Sequence, residues 1–322
     1  MFIYKTLAKG SYTRSLMWTL SGMIQMNFFE ESEAVLKCIK KIAAVLLLTS
    51  TLSGCITTEF QLSETISLLA REDGSGTRGT FSELFNLVLT TEEGGRKDIT
   101  SKEAIIVNKT DVMLQSVQSN PQAIGYVSIG SLNENVKTLM IDHVEPTADN
   151  IKNGSYTIAR PFNIAIKDGL SELAEDFISF IFSREGQEIV MDSGYIPVDF
   201  DAEPYAMRTV GGRITVSGSS SVTPVMEKLQ EAYVRINPHV IIEIQMSDSS
   251  SGMASVLNGT CDIGMASRDL KLSEKEFLQE MPIAIDGIAI IVNIDNSVIS
   301  ITETQVNEIF TGKILTWQEV VE

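Results

Sequence analysis

Three short runs in this sequence carry the side chains and backbone freedom for binding chemistry: Gly74-Ser75-Gly76-Thr77, Gly218-Ser219-Ser220-Ser221 and Ser249-Ser250-Ser251-Gly252. Hydroxyls donate hydrogen bonds without adding charge, and glycine lets a backbone approach a ligand closely. The first run lies within REDGSGTRGTF, residues 71–81, which adds the guanidinium of Arg71. A guanidinium, hydroxyls and the unpaired amides of a helix start suit a small oxyanion. The same stretch also spaces Gly74, Gly76 and Gly79 as G-x-G-x-x-G, the outline of a dinucleotide-binding turn. A dinucleotide site needs a second strand ending in an acid about 20 residues further on. Residues 91–96, Thr-Glu-Glu-Gly-Gly-Arg, are instead a polar loop with no strand before them, and Arg71, Glu72 and Asp73 crowd the turn with charge. A free oxyanion is therefore the expected ligand.

So many serines also suggest a hydrolase. That chemistry needs a G-x-S-x-G elbow or an equivalent base beside the nucleophile. The sequence has no such elbow, and its two histidines, His143 and His239, sit beside acids or prolines in turn-like settings. No Cys/His spacing resembles a zinc site, so neither a metal nor a cofactor is expected. A serine hydrolase stays as the alternative from a different class.

The elements that would position these turns alternate in type. Short apolar runs predict strands at 66–70, 104–107, 123–129, 136–141, 161–166, 214–216, 240–246, 261–266 and 283–292. Helical spacing predicts helices at 79–89, 110–119 and 221–236. Leu173, Phe177, Phe180, Ile181 and Ile189 predict one long helix over 171–193, ended by Gly194. Thr302-Glu303-Thr304-Gln305 is a capping box for a helix ending near Phe310. Residues 247–252 read as a turn and 199–212 as a polar linker. Alternation of this kind predicts an α/β protein with largely parallel sheets. Each Ser/Gly turn follows a predicted strand and precedes a predicted helix, which places it at a helix N-terminus.

Composition narrows the partners. The chain has 322 residues, with 42 acidic against 25 basic and a net charge of −17. That balance excludes nucleic acid, which needs clustered Lys and Arg, but leaves a small anion held by local donors. Residues 37–55, KCIKKIAAVLLLTSTLSGC, have the layout of a secretory signal: Lys37, Lys40 and Lys41, then an apolar run too short to span a bilayer. Leu52-Ser53-Gly54-Cys55 matches the bacterial lipoprotein signal box, so Cys55 is expected to carry lipid and anchor the protein outside the cell membrane. Cys38 would be lost on processing, leaving Cys261 as the only free thiol and no intramolecular disulfide. Residues 1–37 look like neither leader nor domain, and we expect the true start codon downstream of them.

Several stretches together resemble one family. ITVSGSSSVTPVMEKLQEAY, DIGMASRDL, AIDGIAIIVN, ITETQVNEIFTGKILTWQEV, REDGSGTRGTF, NPQAIGYVSIG and SREGQEIVMDSGYIPV resemble the phosphate-binding proteins of bacterial phosphate ABC importers, over nearly all of residues 66–322. The resemblance implies a two-lobed, type II-like periplasmic-binding-protein fold that closes on inorganic phosphate and hands it to an ABC permease, with no chemistry on the ligand. It implies that Arg71, Ser75, Gly76 and Thr77 bind phosphate from one lobe, with Asp73 orienting Arg71. Ser220, Ser221 and Ser250 would bind from the other. The family's carboxylate acceptor for the phosphate proton would fall near Ser267-Arg268-Asp269. Arg268 aligns at that place and Asp269 one residue on, so the acceptor's identity stays open. A non-transporting phosphate sensor or adhesion lipoprotein of the same fold is a further alternative.

The segment order differs from that family. The part like 214–322 normally comes first and the part like 66–198 second; here they are exchanged, as in a circular permutation. Lobe A would then combine 66–136 with 297–322, and lobe B would hold 171–284. Residues 137–166 and 285–296 would cross between them, and 199–212 would join the family's usual termini. A monomer is expected. A piece of a longer tandem chain, or a dimer whose chains exchange halves, stays open.

Overall fold

The computed structural model describes residues 59–90 and 96–322. The expectations for Cys38, Cys55 and the signal segment lie outside the described residues. From β1 (Ser67–Arg71) the chain enters α1 (Gly76–Leu84), the antiparallel pair β2 (Val88–Thr90) and β3 (Arg96–Asp98), then β4 (Ile105–Val107), α2 (Thr110–Ser119) and β5 (Ala123–Ser128). Next come β6 (Val136–Thr138), β7 (Met140–Ile141), α3 (Ala148–Lys152), β8 (Ala159–Ile166), α4 (Glu172–Ile181), α5 (Arg184–Asp192) and β9 (Ile196–Pro197). After an irregular stretch follow β10 (Gly212–Ser219), α6 (Thr223–Ile236), β11 (Val240–Ser247), α7 (Ser249–Leu257), β12 (Ile263–Ala266), α8 (Leu272–Lys275), β13 (Gln279–Asn293), β14 (Ser300–Ile301), α9 (Glu303–Thr311) and α10 (Trp317–Val321).

The main sheet runs in the order β11-β10-β12-β8-β13-β5-β1-β4. Its two ends are parallel, as the alternating pattern predicts: β10 with β11 and β12, and β1 with β4 and β5. The centre is antiparallel, unlike the expectation, because β8 and β13 run in opposite directions through the junction. β13 has 15 residues, far more than its neighbours, and changes partner along its length. It pairs β8 up to Gly287 and β5 from Ile288.

An apolar core lies on either side of this handover. One gathers Phe162, Phe177, Phe180, Ile181 and Tyr233 around β8, β10 and β12. The other gathers Phe81, Phe85, Tyr126, Phe310 and Trp317 around β1, β5 and the second half of β13. In the second core the Phe81 ring stacks on Tyr126 at 3.9 Å, 8° from parallel.

Three local expectations are corrected. The stretch 171–193 is two helices. Ser183 ends α4 and caps α5: its Oγ donates to Phe180 O at 2.7 Å and accepts from Gly186 N at 3.3 Å. Gly186 packs so tightly that a Cβ there would lie 2.2 Å from Phe180 O. Apolar spacing alone misses this break, since both helices bury the same face. The Ser-rich run at 247–252 is a helix start, with Asp248 as N-cap accepting from Ser251 N at 2.9 Å. The helix placed at 79–89 begins earlier, at Gly76, because Ser75 caps it. By contrast, the capping box at Thr302 and Gln305 is present as read.

Candidate functional site

Four helix starts meet between the two cores. Thr77 lies in the first turn of α1, and Thr110 and Ser249 open α2 and α7. Ser219, Ser220 and Ser221 lead from β10 into α6. Helix N-termini present unpaired amides and partial positive charge, so this convergence makes an anion-binding environment before any side chain is counted. Close approach requires glycine at one point in particular. Gly218 has φ +141°, and a Cβ on it would lie 2.2 Å from Met265 O.

The side chains form one buried network. Arg71 Nη2 donates to Ser220 Oγ at 3.0 Å, and Thr77 Oγ1 lies 2.8 Å from Ser221 Oγ. Thr110 Oγ1 is 3.3 Å from Ser220 Oγ and 3.5 Å from Arg71 Nη1. Ser219 Oγ donates to Ser267 Oγ at 2.9 Å, and Ser267 N donates to Ser249 Oγ at 3.1 Å. Gly76 presses against this second group: a Cβ on it would sit 2.5 Å from Ser249 Oγ and 2.7 Å from Ser267 Oγ. Arg71, Thr77, Thr110, Ser219, Ser220, Ser221, Ser249 and Ser267 are each at most 3% exposed. Arg71 is tied to the core as well, its backbone N–H donating to Tyr126 Oη at 3.0 Å. Burial pushes the Tyr126 phenol up to about 12, so it stays a neutral partner.

The expected site residues fall into an inner and an outer set. Arg71, Gly76, Thr77, Ser220, Ser221 and Ser267 meet in or against the network. Ser75 is spent on its own helix, where Oγ accepts from Arg78 N at 3.3 Å. Ser250 lies further out, with N and Oγ both directed to Gly74 O, at 3.2 and 3.3 Å. Its neighbour Ser249 takes the inner place, because the helix begins at Ser249 after the N-cap Asp248 and successive residues turn about 100° apart. Arg268 is also outside: its guanidinium pairs with Glu274 at 2.8 and 2.9 Å. Asp269 is exposed. Asp73 does not orient Arg71; it is almost fully exposed and meets Arg78 at 3.2 Å. Glu72 holds Arg71 instead, accepting from Nε and Nη2 at 2.9 Å each.

Thr110, Ser219 and Ser249 are the inner residues that sequence reasoning missed. Ser219 and Ser249 stood inside the quoted turns. Thr110 follows a strand and opens a helix like the others, but lacks a glycine to mark it.

A cleft of about 1040 Å³ opens beside the network, lined among others by Gly74, Arg78, Arg160, Ser250 and Arg268. At its inner wall Arg160 of β8 faces Asp286 of β13, its register partner, with Nε and Nη2 3.1 and 3.0 Å from Oδ2. Ser128 Oγ donates to the other carboxylate oxygen at 2.7 Å. Burial pushes the Asp286 carboxyl up to about 6 against these partners. Among the described residues no cluster of His, Cys, Asp and Glu could hold a metal, and Cys261 is a buried free thiol.

Known proteins resemble the chain over most of its length. The model of a family described as the PBP superfamily domain matches residues 52–185 and 203–321. A protein of Streptococcus agalactiae serotype V named phosphate-binding protein PstS 2 is 47% identical over 84% of this chain and 92% of its own. A Streptococcus pneumoniae serotype 4 protein of the same name is 43% identical over 80% and 88%. The Bacillus subtilis phosphate-binding protein PstS is 34% identical over 34% of this chain and 37% of its own. Among solved structures, a phosphate-binding protein of a phosphate ABC transporter from Streptococcus pneumoniae TIGR4 superposes with TM-score 0.65 at 42% identity, covering 80% of this chain and 99% of that one.

Proposed function

The chain belongs to the PBP superfamily, among the phosphate-binding proteins of phosphate ABC transporters, and from that premise we propose that the buried hydroxyl and guanidinium network is its phosphate site. The protein is a binding protein that captures phosphate outside the cytoplasm for an ABC permease; it is not an enzyme. The carrying observation is that Arg71 and Thr77, from one core, reach Ser220 and Ser221, from the other, at 3.0 and 2.8 Å. The two cores act as lobes, and the network is their closing surface. Phosphate oxygens take the place of these cross-lobe bonds, accepting from Arg71, the hydroxyls and the helix-start amides, which replace the ion's hydration shell. The exposed Asp73, Asp269 and other surface acids do not oppose this, because only local donors meet the ion.

Calorimetric titration with phosphate, sulfate, arsenate and molybdate tests the site. Phosphate is expected to bind, and Arg71→Ala to weaken it. Phosphate binding that is indifferent to Arg71→Ala would place the site elsewhere. Turnover of a chromogenic ester would instead favour the hydrolase.

Two finer features belong to the same proposal. Cys55 carries the lipid anchor, supported by the signal pattern at 37–55; intact-mass measurement of the membrane-extracted protein should find diacylated Cys55 as first residue. We infer that the segment order is permuted relative to phosphate-binding proteins like that of Bacillus subtilis, while the streptococcal relatives share the order of this chain. The support is that the streptococcal matches run through both halves while the Bacillus subtilis match covers about a third, and a colinear alignment of permuted chains can follow only one exchanged segment. A chain rebuilt with 214–322 ahead of 66–198 should bind phosphate as the original does; failure to fold would count against it.

A further inference from the structure

Arg160 has a feature that its ion pair leaves unexplained. Its Nε and Nη2 both serve Asp286 Oδ2. Its Nη1 is buried and, among the described residues, has no hydrogen-bond partner. A buried donor without an acceptor is costly, and more so on a charged group such as a guanidinium. The group is planar, so an edge given to Asp286 leaves Nη1 pointing away from that carboxylate.

The guanidinium is fully enclosed, 5.4 Å from the centre of the Phe162 ring, and the residue itself belongs to the wall of the cleft. Arg160 lines it together with Gly74, Ser75, Arg78, Ser250 and Arg268. Burial depresses the Arg160 pKa; Asp286 opposes that, while the positive charge of Arg71 depresses it further. The two guanidiniums therefore sense each other. Each is matched by one carboxylate, Glu72 for Arg71 and Asp286 for Arg160. Both are anchored on strands that meet at the lobe junction: β1 pairs β5, β5 pairs β13, and β13 pairs β8. A dianion between them would supply the acceptor that Nη1 lacks and relieve the repulsion.

We propose that Arg160 is a second guanidinium contact for the bound oxyanion, donating through Nη1 to an oxygen that Arg71 does not take, while Asp286 and Ser128 hold it in place. This rests on the phosphate reading of the network. It adds a residue from the strand pair shared by both lobes, so the ligand is gripped by the junction as well as by the closing surfaces.

The test is phosphate titration calorimetry on the purified full-length protein, with circular dichroism to verify folding. Arg160→Met is expected to raise the Kd about 10- to 100-fold, as loss of a hydrogen bond to a charged group does. If stranded Asp286 prevents that variant from folding, Arg160→Met combined with Asp286→Leu removes both charges and keeps the site apolar, and buried pairs often tolerate such replacement. The same loss of affinity is expected. Unchanged Kd in either folded variant overturns the proposal and makes Arg160 a structural residue. A crystal structure of the wild-type phosphate complex reads the contact directly: Nη1 within hydrogen-bond distance of phosphate is expected, and a water on Nη1 with phosphate beyond reach overturns it. If the wild-type protein binds no phosphate, the phosphate reading itself has failed, which the titration shows before any variant is made.

Discussion

Thr77 Oγ1 and Ser221 Oγ lie 2.8 Å apart although 144 residues separate them. One sits in the first turn of α1 and the other at the entry to α6, and these helices pack into different apolar cores, α1 through Phe81 and α6 through Val225 and Met226. Two small hydroxyls can meet this way only when the lobes are closed. With this surface as the proposed phosphate site, ligand affinity and lobe closure would be one equilibrium, and any group here would act on both.

Arg71 is the charged centre of the network. Arg71→Ala should weaken phosphate binding by about 10- to 100-fold, the range for a hydrogen bond to a charged group. Arg71→Lys should recover only part of this, since an ammonium cannot serve Glu72 and the ligand from one planar fork. Titration calorimetry measures both; equal affinity of Arg71→Ala and wild type would remove Arg71 from the site.

Gly76 tests closure separately from folding. Its Cβ position is 2.5 Å from Ser249 Oγ and 3.0 Å from the Ser267 backbone carbon, both on the opposite lobe. Gly76→Ala should leave the thermal midpoint without phosphate nearly unchanged. Overpacking of about 1–3 kcal/mol would fall on the closed form and appear as weaker phosphate affinity. A lower midpoint with normal affinity would show the clash to be present in both states.

Gly186 offers the opposite pattern. A Cβ there would meet Phe180 O at 2.2 Å and Ile181 O at 2.5 Å, both backbone atoms within one lobe. Gly186→Ala should cost about 1–3 kcal/mol in urea unfolding, while the folded variant binds phosphate normally.

Asp286 gives a pH dependence with a definite sign. Burial raises its carboxyl to about 6 in the folded protein, against about 3.9 for an unfolded Asp. The folded state thus holds the proton more tightly, so this group's contribution is full below about pH 4 and is lost as pH rises through about 6. In urea unfolding, the stability of wild type relative to Asp286→Asn should fall across that window and level off above it. A constant difference would mean that Asp286 ionises normally.

Much of this was legible without coordinates. The glycine turn at 74–79, the helix at Thr110–Ser119 and the capping box at Thr302 each depend on residues within a few positions of one another. Local chemistry decides such features, and so a linear reading finds them. The break at Ser183 was missed because α4 and α5 bury the same apolar face, and hydrophobic spacing does not see which carbonyl a serine will bond. The antiparallel junction was missed because strand direction is set by partners far along the chain.

The sequence by itself determined that small hydroxyls and glycines stand at helix starts, with Arg71 just ahead of one of them, and therefore pointed to an anionic ligand. Only the tertiary structure decided which of them meet in the network between the two cores. Ser249 turned inward and Ser250 outward, Glu72 rather than Asp73 took Arg71, and Arg160, just ahead of the strand read at 161–166, came to the cleft wall with a donor unpaired. The physical reason is range: a helix start is made by adjacent residues, whereas the contacts that join these starts, Thr77 to Ser221, Thr110 to Ser220 and Arg160 to Asp286, link residues 144, 110 and 126 positions apart, brought close when the two cores pack around β8 and β13.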